Sequence, residues 1–253
     1  MGFENKVVIV TGASSGIGAG AAVHFSKLGA KVVITGRNVE NLKETESKCV
    51  GEVLSVAADI NNEADRVRIV KQTLAKFGQL DVLVNNAGLG EYGDVQTTTM
   101  EQYDLVMNTN VRSVFHLTQL ATPHLIKTQG NIVTLSSVAG PRQFPNLVSY
   151  CMSKAAIDQF TKCTALDLAP HNVRVNAVNP AFIVTNFHKR LGMADEAYEK
   201  FKDHAKETHA LGRAGTIDET SNAIAFLADN DLASFITGTC LLVDGGKACM
   251  CPR

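Results

Sequence analysis

Lys6-Val7-Val8-Ile9-Val10-Thr11-Gly12-Ala13-Ser14-Ser15-Gly16-Ile17-Gly18 is the stretch on which the fold turns. It begins as an apolar, β-branched run, which suits a buried strand. It ends in glycines spaced GxxxGxG, after which helical periodicity continues to about Leu28. A strand that passes through a glycine turn into a helix leaves free N–H groups and a positive dipole end at the turn. One glycine makes the bend, one lets a pyrophosphate approach the backbone, and one permits close helix–strand packing.

The same alternation continues outward. Runs at Lys31–Thr35, Glu52–Ala57, Leu80–Val84, Asn131–Leu135, Val173–Val178 and Cys240–Val243 read as strands, each separated from the next by a helix-length segment. Apolar strands without a polar face belong to a parallel sheet covered on both sides. Right-handed crossovers then predict an α/β, doubly wound Rossmann fold with seven parallel strands. No linker divides the chain, so one domain over 1–253 is expected. Phe182–Gly215 lacks a strand and carries a charged helical piece, Asp195–Lys206. An insertion at the carboxyl end of a strand is where a substrate lid would sit. Thr216 with Glu219 reads as a capping box opening the helix that follows.

Hydrophobic residues make up 45% and charged residues 19%, and the net charge is −1, which argues against nucleic acid or an anionic membrane as partner. The six cysteines (49, 151, 163, 240, 249 and 251) form no metal-spaced set, so free thiols and no metal are expected, with Cys249 and Cys251 open to oxidation. Met1–Lys6 contains no secretory block, and Lys6 stands where a myristoylation signal has Ser or Thr. No apolar run would cross a bilayer. A cytoplasmic protein is expected.

After the second strand comes Thr35-Gly36-Arg37-Asn38. A carboxylate there would hold both ribose hydroxyls of NAD; Arg37 instead offers a guanidinium to the extra phosphate of NADP, beside Ser15. NADP(H) is the expected cofactor, with NAD(H) the alternative. Asp59 follows the third strand, where it could accept from the adenine amino group, and Asn85-Asn86-Ala87-Gly88 follows the fourth.

Ser137 follows the fifth strand, and Tyr150 and Lys154 stand four apart, on one helix face. A lysine cation about 4 Å from the phenol would favour its ionisation by roughly 4 kcal/mol, about three pKa units. That predicts a tyrosine brought near working pH, with Ser137 bonding the substrate oxygen as charge develops.

TGASSGIG, NNAG, Asn110 in Asn108-Thr109-Asn110-Val111, Ser137 and YCMSK together resemble the short-chain dehydrogenase/reductases, over nearly the whole chain. The resemblance implies Tyr150 as proton donor or acceptor, Lys154 holding the nicotinamide ribose, Ser137 orienting the carbonyl, and Asn110 holding a relay water. It also implies carboxamide contacts from Ile183 and Thr185. The expected cofactor residues are thus Gly12, Ser14, Ser15, Gly16, Ile17, Gly18, Arg37, Asp59, Ile60, Asn86, Ala87, Gly88, Tyr150, Lys154, Ile183 and Thr185. Pro180-Ala181 departs from the family's Pro-Gly, and many members are homotetramers.

The expected activity is interconversion of a carbonyl and an alcohol. Leu89, Tyr92, Phe144, Leu147, Phe182, Phe187, Leu191 and Met193 suggest a hydrophobic substrate such as a steroid or terpenoid. The alternatives are a 3-oxoacyl-carrier-protein reductase, with Arg142, Lys189 and Arg190 facing an acidic carrier, or a non-catalytic NADP-binding sensor. His188 is assigned no catalytic role.

Overall fold

The computed structural model describes residues 2–250; Cys251 lies outside them. Seven strands form one sheet: β1 (Val7–Thr11), β2 (Lys31–Gly36), β3 (Val53–Ala57), β4 (Val82–Asn85), β5 (Asn131–Leu135), β6 (Arg174–Pro180) and β7 (Cys240–Val243). All pairings are parallel, in the order β3-β2-β1-β4-β5-β6-β7. Successive side chains of β1 face two different cores. Val8 and Val10 pack with Phe25 of α1 (Gly16–Lys27) and Ile224 of α9 (Ile217–Ala228). Val7 and Ile9 pack with Ile69 of α3 (Glu63–Phe77) and Leu117 of α5 (Ser113–Thr128). Burial on both faces is why the strands read as unbroken apolar runs.

The strand boundaries differ slightly from the sequence reading. Leu80 and Asp81 precede β4, because the Asp81 carboxylate turns back to accept from Val7 N (2.8 Å) and Lys6 Nζ (3.2 Å). The capping box at Thr216 and Glu219 is present, and Arg213 pairs with the same carboxylate. Between β6 and α9 lie α7 (Phe187–Arg190) and α8 (Asp195–Thr208), of which only α8 was anticipated. The remaining helices are α2 (Val39–Lys48), α4 (Met100–Met107) and α6 (Val148–Leu168). Residues Asn108–Arg112 widen into a π-helical turn between α4 and α5.

The order of strands reverses between β1 and β4, which opens a crevice at their carboxyl ends. There the backbones meet closely. Gly12 has φ +66°, and a Cβ on it would stand 2.8 Å from Ala87 Cα. A Cβ on Gly18 would overlap Gly12 O and the Asn86 amide. Thr11 Oγ1 accepts from both Asn86 N and Ala87 N at 2.9 Å, and Asn86 Nδ2 donates to Thr11 O at 2.8 Å. Gly18→Ala should therefore cost about 1–3 kcal/mol by overpacking, read as a lowered urea midpoint with an unchanged slope.

Candidate active site

A crevice of about 320 Å³ runs along the carboxyl ends of the strands. Gly12, Ser14, Ser15, Gly16 and Ile17 line its first end. Gly18 does not line it, because its place is the packing contact just described. Arg37, Asp59 and Ile60 reach it from β2 and β3, and Asn86, Ala87 and Gly88 from β4. Ile183 and Thr185 close it from the β6 side.

This end suits an anion. Helices α2, α3, α4 and α9 each have their first amides bonded by a capping side chain. Helix α1 has neither such a cap nor an acidic residue in its first turn. Its N–H groups are free to meet a phosphate, and Gly16, at φ +59°, keeps the approach clear of side chain. Arg190 was not anticipated at this end. It reaches over from α7 to donate to Ser15 Oγ at 2.8 Å. Burial, and then the charge of Arg37, lower the basicity of Arg190. Two guanidiniums therefore converge on the crevice, and among the described residues neither has an acidic partner. Glycine cradle, uncapped helix and paired cations fit the phosphates of a dinucleotide.

Ser137, Tyr150 and Lys154 line the other end together. Ser137 Oγ accepts from Ala139 N at 3.1 Å and is hydrogen-bonded to the phenol. Lys154 Nζ is buried, donates to Leu135 O at 2.7 Å and stands 5.6 Å from the centre of the Tyr150 ring. The expected depression of the phenol pKa is not found. Burial pushes Tyr150 up to about 12, only partly opposed by the Ser137 bond. Burial pushes Lys154 down to about 8, opposed by the charge of Asp158. The lysine is aimed at a backbone carbonyl, and desolvation outweighs its attraction for the phenolate.

Asn110 sits in the π-helical turn, buried. Its Nδ2 donates to Leu89 O (2.8 Å) and Ser153 Oγ (2.9 Å), while its Oδ1 accepts from Leu89 N (2.9 Å). Ser153 Oγ in turn donates to Tyr150 O at 2.7 Å. The side chain is thus used in tying the loop after β4 to α6, below the tyrosine.

Of the expected apolar pocket residues, Leu89, Phe144, Leu147, Phe182, Phe187 and Leu191 line the crevice. Tyr92 does not, and Met193 packs with Phe182 in a separate small core. His188 is a wall residue whose place could not be read from its neighbours along the chain. Its ring lies 5.5 Å from Phe187, 5.3 Å from Phe182 and 4.8 Å from Phe201, centre to centre. Phe187 continues the wall to Tyr150 at 5.9 Å.

The three basic residues considered for a carrier protein are engaged elsewhere. Arg142 donates to Lys247 O (2.6 Å) and Met250 O (3.0 Å), Lys189 pairs with Asp195 (2.7 Å), and Arg190 enters the crevice. Ala181 lies outside the left-handed region, so its methyl carries no backbone strain, and its N–H donates to Val243 O at 3.3 Å. Among the described residues no His/Cys/Asp/Glu group could hold a metal, and Cys49, Cys151, Cys163, Cys240 and Cys249 are unpaired. No described helix is long and apolar enough to cross a membrane.

Comparison with known proteins adds to this geometry. A family model described as enoyl-(acyl carrier protein) reductase matches residues 12–248. A 3-oxoacyl-[acyl-carrier-protein] reductase of Thermotoga maritima is 38% identical over 250 residues, covering 97% of this chain and 99% of that protein. A Caenorhabditis elegans short-chain dehydrogenase/reductase of unknown function, solved with cofactor, superposes with a TM-score of 0.92 at 40% identity, covering 98% and 97% of the two chains. A 3-ketoacyl-(acyl-carrier-protein) reductase of Brucella melitensis, complexed with NADH, gives 0.88 at 35% identity, covering 97% and 99%. With likeness of this extent added to the sheet order and the crevice, the chain belongs to the short-chain dehydrogenase/reductase family, as an oxidoreductase acting on CH–OH and carbonyl groups.

Proposed function

We propose that the protein is an NADP(H)-dependent carbonyl reductase acting on a ketone or aldehyde with an apolar body. The observation that carries this reading is the meeting of Ser137, Tyr150 and Lys154 at one end of a crevice whose other end gathers Arg37 and Arg190 beside an uncapped helix. Gly12, Ser14, Ser15, Gly16 and Ile17 hold the phosphates, while Gly18 secures the turn that presents them. Asp59 and Ile60 flank the adenine, and Asn86, Ala87 and Gly88 form the floor. Tyr150, Lys154, Ile183 and Thr185 hold the nicotinamide half. Arg37 and Arg190 take the extra phosphate, which favours NADP(H) over NAD(H).

When bound, the dinucleotide supplies the hydride. The chain's own residues manage the oxygen and its proton. Ser137 and the Tyr150 phenol bond the carbonyl oxygen and hold it against the ring wall formed by Phe187. Because burial keeps the phenol protonated at neutral pH, Tyr150 is ready to donate as the oxygen gains negative charge. The Lys154 ammonium then stabilises the phenolate left behind. Asn110 is a positioning residue: through Leu89 and Ser153 it fixes the loop after β4 against the tyrosine's helix. The 182–215 segment covers the substrate with Phe182, Phe187 and Leu191.

A carrier-protein reading draws support from the likeness to 3-oxoacyl-carrier-protein reductases. It expects faster reduction of carrier-bound than of free ketoacyl substrates, declining with salt. The engagement of Arg142, Lys189 and Arg190 within the chain favours the free substrate.

Tyr150→Phe should lower carbonyl reduction by about a thousandfold while NADPH binding, followed by dinucleotide fluorescence, holds; turnover equal to the parent would remove the assignment. Arg37→Gln should reduce the NADPH-to-NADH ratio of kcat/KM by about tenfold or more. Alcohol oxidation draws on the ionised phenol, so its rate should climb with pH, whereas reduction stays level through neutrality. Buried Lys154 must be charged below pH 8 in the fold but is charged below its ordinary value near 10.5 when unfolded. Its cost is therefore complete below pH 8 and disappears as pH rises past 10.5. The stability gained by Lys154→Met relative to the parent should shrink by about 2–3 kcal/mol from pH 7 to pH 10.5, measured by urea unfolding.

A further inference from the structure

The substrate chamber has a charged far end. Lys247, in the turn after β7, lines the crevice together with Tyr150. It is half-buried, with Nζ 5.8 Å from the centre of the Phe144 ring and 3.5 Å from Thr208 Oγ1 at the end of α8. Among the described residues it has no ion-pair partner. Asp244 is the carboxylate nearest in sequence, and its oxygens are taken by Gly246 N (2.9 Å) and Ala248 N (2.6 Å). Burial, and then the positive charge of Arg142, make Lys247 a weaker base than usual, Asp244 opposing only in part. The same ammonium, after burial, helps push His188 down to about 4, so the histidine is neutral and cannot compete for an anion at working pH. His188 Nδ1 is buried with no partner.

These groups form a graded wall. It starts at the Tyr150 phenol, continues over the rings of Phe187 and His188, and ends at a cation that no carboxylate among the described residues pairs with. A half-buried ammonium without a counter-ion is costly, and a ligand anion that reaches it recovers that cost. A purely apolar substrate would leave the charge stranded when it displaced water.

We infer that Lys247 receives an acid group at the end of the substrate opposite the reacting carbon, so that the substrate is an oxoacid, or the matching hydroxy acid, with an apolar aryl or alkyl body between the two functions. The inference rests on the reductase reading above and narrows its substrate class. The carbonyl lies at Tyr150 and Ser137, the body lies against Phe187 and His188, and the carboxylate lies at Lys247.

The test compares 4-oxo-4-phenylbutanoate and 5-oxo-5-phenylpentanoate with their methyl esters, using NADPH. For at least one chain length the acid should exceed its ester in kcat/KM by about tenfold, and added salt should narrow the gap. Lys247→Met should bring that ratio to near one, and Lys247→Arg should retain most of it. Equal rates for acids and esters, or an acid preference untouched in Lys247→Met, overturn the inference while leaving the reductase reading intact. Should no carbonyl react with either dinucleotide, the reductase reading itself fails. Titration of the two acids into the NADPH complex, followed by dinucleotide fluorescence, then still decides Lys247: binding lost in Lys247→Met supports the site, and binding absent or unchanged removes it.

Discussion

The contact on which everything else depends is between two pieces of backbone, where the turn after β1 touches the end of β4. Gly12 and Gly18 let these segments approach to a distance that no side chain would allow, and Thr11 and Asn86 lock them with hydrogen bonds. That closeness fixes the start of α1 relative to β4, and with it the width of the crevice at the sheet's reversal point. It also leaves the first amides of α1 facing outward, since no side chain caps them. Under the proposed reading, phosphate recognition comes from omission: the side chain that would cap α1 is missing where a ligand would do the same work.

At the other end the chain does the opposite and buries charge. Lys154 keeps its ammonium out of water for one carbonyl bond, at Leu135, and Asp158 one turn further along α6 assists through its field. A stabler protein would have an apolar residue there. The loss of stability keeps a positive centre next to a phenol that burial otherwise holds firmly protonated. In the proposed mechanism, stability and reactivity thus pull in opposite directions at one side chain, as happens at many enzyme sites.

The sheet was legible because burial on both faces gives a strand an unbroken apolar signature, and each of the seven runs corresponds to a strand. The capping box of α9 was legible because it is a local pattern. The crevice ends were legible as positions in the glycine turn and in the Tyr150–Lys154 spacing. What sequence could not supply was direction. Lys154 has the expected spacing from Tyr150, yet its head turns to Leu135, and the expected drop in the phenol's pKa goes with it. Arg190 lies 175 positions from Ser15, and nothing in either neighbourhood indicates that they bond. His188 and Lys247 are likewise separated by the whole of α8, α9 and β7, and only the folded chain brings the charge of Lys247 to bear on the imidazole.

Helix α7 is a single turn, Phe187–Arg190, and it points both ways. Its last residue bonds Ser15 at one end of the crevice; the ring of its first lies tilted beside Tyr150, 5.9 Å away, at the other. One turn of backbone thus carries a side chain to each end of the crevice. In the proposed reductase, a shift of this turn would be felt at the dinucleotide and at the substrate together.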